Sequence, residues 1–67
     1  MNTLTKASIV IKSHLNDAMF NMMVDPALSE KHIQFAYTLI HKYPNTEVEI
    51  FPETEWELFL KEKEKAA

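Results

Sequence analysis

PNTEVEIFPETEWELFL, residues 44–60, changes its period halfway along, and that change decides the fold. Over the first part polar and apolar positions alternate: Thr46, Val48 and Ile50 point one way while Glu47, Glu49 and Phe51 point the other, the repeat of two that marks a strand or extended segment. Beyond Pro52 the spacing lengthens, and Trp56, Phe59 and Leu60 form the apolar stripe of a helix. Thr54 and Glu57 have the spacing of a capping box, in which each side chain bonds the other residue's free amide at a helix start. Glu57 and Lys61 add an ion pair one turn apart. The stretch predicts an extended segment or strand over 46–51 and a third helix over 54–65. A lone strand leaves its backbone groups unsatisfied. Its candidate partners are residues 7–12, the same strand of a second copy, or the sheet edge of another protein; otherwise it runs as a connector with no ladder.

Working back toward the N-terminus, Leu4, Ala7, Ile11, Leu15, Ala18 and Met22 recur at three and four and predict a helix over 4–24. Ile9, Val10, Met19, Phe20, Met23 and Val24 fall off that stripe, so the helix is apolar around more than half its circumference and must be covered on two sides. Ile9, Val10, Met19, Phe20 and Met23 are therefore the expected self-association surface of a homodimer. The β-branched run Ala7 to Lys12 also fits a short strand, and the continuity of the stripe favours the helix. Asp25-Pro26 breaks the segment, because the residue before proline is pushed out of the helical region. Ser29 is placed to cap a helix over 29–43, with Leu28 and Ile33 as a hydrophobic staple across its start. Ile33, Ala36, Tyr37 and Ile40 make its apolar face, widened by Phe35 and Leu39, and Tyr43-Pro44-Asn45 ends it. Two helices with so short a connection pack as an antiparallel hairpin. The expected fold is mainly α, one small domain over 1–67: a helical hairpin, a short strand or extended segment and a C-terminal helix, with the charged tail Lys61 to Ala67 fraying.

Composition narrows function. A chain of 67 residues buries only about 60% of the surface its unfolded form exposes, and small scaffolds of this kind lean on a disulfide, a metal, very good helix packing or self-association. Cysteine is absent, which rules out a disulfide and fits a reducing cytosol. His32 and His41 lie on opposite sides of one helix, and His14 has only Asp17 within a turn, so the spacing along the chain offers neither a metal site nor a cofactor site. The net charge is −3, and every basic residue is a lysine. Without arginine, bidentate reading of guanine or phosphate is lost. The lysines at 6, 12, 31, 42, 61, 63 and 65 are scattered, and the last three alternate with Glu62 and Glu64 as a solvated helix end. Lysine without arginine or glycine fits an AT-rich genome, such as those of many bacteriophages. The longest apolar runs, Ile9 to Ile11 and Met22 to Val24, fall far short of a membrane span or signal peptide. A soluble, cytoplasmic protein is expected.

Residue chemistry argues against an enzyme. With no glycine there is no strained nucleophile turn and no phosphate-cradling loop. Ser13 and His14 are adjacent and do not face each other on a helix. The glutamates lie in a solvated stretch without the apolar pocket that raises a carboxyl pKa toward neutrality. Met19, Met22 and Met23 with Phe20 read either as gap-filling core or as an adaptable binding surface, and Trp56 either as the keystone of the core or as an interface anchor. The expected function is a non-enzymatic, protein-binding regulator, adaptor or inhibitor. Its partner carries a basic patch, met by Glu47, Glu49, Phe51, Glu53, Glu55, Trp56 and Phe59: the carboxylates steer the encounter and the aromatic rings hold it. Imitation of DNA by the glutamates asks for more charge than this chain carries. The order hairpin, strand, helix resembles a winged helix-turn-helix, which implies DNA binding through helix 29–43. That helix offers only Lys31, His32, Gln34, His41 and Lys42 to a groove, so a nucleic-acid-binding regulator is the second reading. A small-ligand binder in a methionine-rich dimer cavity is the third.

Overall fold

The strand finds its partner within the chain. Thr5–Lys6 (β1) pairs antiparallel with Glu49–Ile50 (β2), Thr5 opposite Ile50 and Lys6 opposite Glu49, in the computed structural model, which describes residues 3–66. The outermost positions of the expected 1–67 domain, Ala67 of the tail among them, lie outside the described residues. Immediately after β1 the chain turns into α1, Ala7–Asn21. No side chain caps this helix. Its first amides donate to the loop before β2 instead, Ala7 N–H to the Val48 carbonyl at 2.8 Å and Ser8 N–H to that of Thr46 at 2.9 Å. The free donors of a helix start are thus satisfied by backbone. This fixes why the helix begins at Ala7 and not at Leu4, and why the run 7–12 is helical with the ladder one step before it.

Among the described residues no backbone takes a positive φ, as a chain without glycine requires if it is to avoid strain. α1 therefore ends without a left-handed cap, through the turn Met22 to Val24, and Asp25 starts α2, Pro26–Lys42. Asp25, in an extended conformation, accepts the Leu28 amide at 3.2 Å, and Pro26 occupies the first helical position, where its missing N–H costs nothing. The cap is thus Asp25, not Ser29: α2 starts three residues earlier than the apolar pattern suggests. α3, Pro52–Ala66, likewise starts earlier than its capping-box pattern, with the Glu55 amide already bonded to the Phe51 carbonyl at 3.0 Å. Proline again sits at a helix start, and Thr54 falls inside the first turn.

α1 and α2 form the antiparallel hairpin, and α3 closes over one end of it. The core combines Ala7, Val10 and Ile11 of α1, Phe35, Ala36 and Leu39 of α2, Ile50 of β2 and Phe59 of α3, with Tyr43, Trp56 and Leu60 packed against it. The buried faces are rotated from the sequence stripes. On α1, Val10 is buried (4% exposed), while Leu15 and Met22 turn outward; on α2, Tyr37 and Ile40 are exposed and Phe35 and Leu39 carry the core. Val10 is accordingly a core residue and not a self-association residue. Ala7, Ile11 and Ala18 of the expected α1 stripe are buried with Val10, and Trp56 of α3 stacks on His14 beside them. No helix among the described residues is long and apolar enough to cross a membrane.

Candidate functional site

The three helices meet at a cluster of rings. α1 contributes His14, α2 His32 and Phe35, and α3 Trp56 and Phe59. The indole of Trp56 stacks on both imidazoles, with centroids 5.1 Å from each and interplanar angles of 21° to His14 and 15° to His32. Phe35 meets His14 and Trp56 edge-on at 4.5 and 5.0 Å, and Phe59 extends the stack at 5.7 Å from Trp56. Aromatic pairs favour these offset and edge-on arrangements because the face of each ring is negative and its edge positive.

Within the cluster the two imidazoles touch edge to edge: Nδ1 of His14 lies 2.8 Å from Nδ1 of His32. Both nitrogens cannot donate and both cannot accept, so the neutral pair carries one Nδ1 proton between them. Burial and the neighbouring His32 push His14 below the ordinary histidine range, with Asp17 opposing. The Asp17 carboxylate stands one turn from His14, and the three potential donor atoms lie within 4.8 Å of one another. An open cleft of about 290 Å³, lined by His14, Pro52, Glu53, Trp56 and Glu57, leads in from solvent.

The sequence-predicted contact residues divide. Phe59 is a core residue, 8% exposed, and Trp56 is half-buried in the ring cluster; neither is a free anchor. Glu55 turns inward, accepting from the Tyr43 hydroxyl at 2.7 Å and from Lys42 Nζ at 2.9 Å, and so ties the end of α2 to the start of α3. Glu47, Glu49, Phe51 and Glu53 are exposed, and Glu47 pairs with Lys6 at 3.0 Å. Of the expected self-association set, Ile9, Met19, Phe20 and Met23 stand exposed.

The histidine pair escapes any search within one helix because its members are 18 residues apart. Its signal is the reflection of the chain about the hairpin turn. Ser29 Oγ donates to the Ala18 carbonyl across the same interface at 2.6 Å; those positions sum to 47, and His14 and His32 sum to 46. Folding the sequence back at residue 23 brings both pairs together.

The hairpin tip is the other distinctive surface. Phe20, Met23 and Val24 are 80, 92 and 83% exposed, with Met19 and Met22 also open to solvent. Comparison with known proteins finds no family model, no curated protein and no solved structure that matches this chain.

Proposed function

We propose that this protein is a non-enzymatic, protein-binding regulator, adaptor or inhibitor acting in the cytoplasm, and that the tip of the α1–α2 hairpin is its contact surface. The observation that carries this reading is the concentration of exposed apolar side chains at Met19, Phe20, Met22, Met23 and Val24, since apolar surface gathered in one place is what marks an interaction site. Methionine suits such a surface because its flexible, polarisable side chain adapts to the partner. Charge specifies the partner further. Between Lys12 and Lys31 the chain carries Asp17, Asp25 and Glu30 and no cation, so the patch fits an apolar groove with a basic rim. The exposed Glu47, Glu49 and Glu53 extend that field and speed the encounter. The non-enzymatic part rests on Ser13 being exposed while the His14 ring is engaged by His32 and Trp56.

A second reading, a homodimer joined through Ile9, Met19, Phe20 and Met23, is favoured by the exposure of all four. One experiment separates the two. The tagged protein and its Phe20→Ser, Met23→Ser double variant are used to capture partners from cytosolic extract at low and high salt, and each is weighed alone by sedimentation velocity. A stoichiometric protein held by the wild type and released by the double variant supports the proposal. A dimer that the double variant dissociates, with nothing else captured, replaces it by the second reading. Equal capture by both proteins removes the tip as the contact, and nucleic acid as the bound species overturns the proposal.

A further inference from the structure

We infer that His14, His32 and Asp17 form a binding site for a divalent transition-metal ion of the zinc class, bridging α1 and α2. The donor set is right for such an ion: two imidazole nitrogens and one carboxylate oxygen suit zinc, copper or nickel, whereas calcium and magnesium take oxygen alone. The spacing is close to what coordination needs. Two imidazoles bound at about 2.05 Å to one tetrahedral zinc have their nitrogens about 3.3 Å and their ring centres about 5.2 Å apart. In this protein the ring centres are 5.0 Å apart and the nitrogens 2.8 Å. The rings therefore already sit at the separation of a shared ion, and a small rotation that makes their lone pairs converge opens the nitrogens by the remaining half ångström or so. An ion with ligands at right angles, such as tetragonal copper, asks for about 2.9 Å between the nitrogens, nearer still to the observed spacing.

Asp17 completes the set. It follows His14 by three residues, which places both on one side of α1, and its exposed side chain is free to swing the short distance to the imidazole pair. Three protein donors leave one position of a tetrahedral ion to water. The Asp17 side of the cluster is exposed to solvent, a cleft beside Trp56 borders His14, and the Trp56 face lying over both imidazoles favours the positive charge that a bound ion brings to them. The consequence for the fold is a cross-link between the two hairpin helices in a chain that has no cysteine to make one, because ligands assembled only in the folded state turn binding energy into folding energy.

The test uses the full chain without any histidine tag, stripped with chelator and titrated with zinc chloride alone. Calorimetry counts the sites, thermal unfolding reads the stabilisation, and the fluorescence of Trp56, the single tryptophan, reports from a ring in contact with both proposed ligands. The expected result is one saturating equivalent, a raised melting temperature and a fluorescence change that titrate together. His32→Gln should lose saturation and His41→Gln should titrate as the wild type does. Asp17→Asn alters an exposed side chain and leaves the ring cluster intact, so it reads ligation separately from folding. It should weaken binding by more than the roughly 10- to 100-fold that changes behind a metal's ligands produce. No saturable binding up to millimolar zinc would overturn the site and leave the histidines as a hydrogen-bonded pair only, as would binding unchanged in Asp17→Asn or lost equally in His41→Gln.

Discussion

His14 and His32 present their Nδ1 atoms to each other at 2.8 Å from two different helices, and this contact sets how the hairpin responds to acid. Protonating both rings would force two N–H groups together.

Burial, followed by the charge of His32, lowers the pKa of His14 from its ordinary value of 6.5. The unfolded chain therefore takes up this proton at higher pH than the folded one. Stability is present in full above about pH 6.5 and declines as pH falls through the lowered folded value. Urea unfolding with chelator present should show the wild type losing stability between about pH 7 and pH 5, and His14→Gln losing less over that range. Parallel curves for the two proteins would remove the pair as the origin of the effect.

Trp56 is predicted to be a stability residue first. It stacks on His14, His32 and Phe59 and meets Phe35 edge-on, so Trp56→Ala opens a cavity at the junction of all three helices. The expected loss is about 3 kcal/mol, the lower end for removal of a large aromatic because the ring is only half-buried. A 67-residue core has roughly 3 to 5 kcal/mol in all, so the variant should melt without a cooperative transition. A variant that keeps a sharp thermal transition would show that α3 is held by other contacts.

Glu55 makes a matching prediction on the alkaline side. Its hydrogen bonds are the leading cause that raises both Tyr43 from 10.0 and Lys42 from 10.5. A raised folded pKa means the proton is held more tightly in the folded state. The stabilisation is then complete below about pH 10 and is lost as pH rises through the folded values. Glu55→Gln should lower the Tyr43 midpoint in an ultraviolet pH titration and flatten the alkaline loss of stability. It should also cost about 1 kcal/mol near neutrality, given that Lys42 remains largely solvated.

These contacts show what sequence reading reaches and where it stops. Local chemistry was legible: Asp25-Pro26 and Tyr43-Pro44 bound the helices because proline acts on its immediate neighbours; the alternation from Thr46 to Phe51 locates the strand but overstates its length, since only Glu49–Ile50 is ladder and residues 46–48 turn, with the Val48 amide bonded back to the Asn45 carbonyl at 3.3 Å. The direction of each buried face was not. On α1 the expected stripe is buried at Ala7, Ile11 and Ala18, but Val10 joins them and Leu15 and Met22 do not, a rotation that the spacing alone leaves open. Helix starts slipped for a related reason: Ser29 and Thr54 have good capping chemistry, but Asp25 and Phe51 precede prolines that can already occupy a first helical turn. Spacing along one helix reveals a metal-ligand pair only when both ligands lie on it, and these histidines meet across two. Ser29 illustrates the whole difficulty, a residue whose hydroxyl suits a cap and is used elsewhere.

At the end of α1 the Met22 amide donates to the Met19 carbonyl at 3.4 Å, a long bond. The Ala18 carbonyl, in the last turn, is one of the acceptors that a helix end leaves free, in a place where Ala18 and Ser29 are both buried. Ser29 Oγ, one turn into α2, donates to it at 2.6 Å, so one hydrogen bond closes the end of one helix with the start of the next. Ser29→Ala keeps the small volume that lets the helices approach but leaves the carbonyl buried without its donor, an arrangement that costs about 1 to 3 kcal/mol. Ser29→Cys, with a weaker donor of similar shape, should fall between alanine and wild type, and Ser29→Val should be worse than alanine because it adds volume at a buried position between the two helices. Urea midpoints in the order wild type, cysteine, alanine, valine would establish the bond as the lock of the hairpin turn. An alanine variant as stable as the wild type would show instead that water reaches the Ala18 carbonyl and that the turn is held by Asp25 alone.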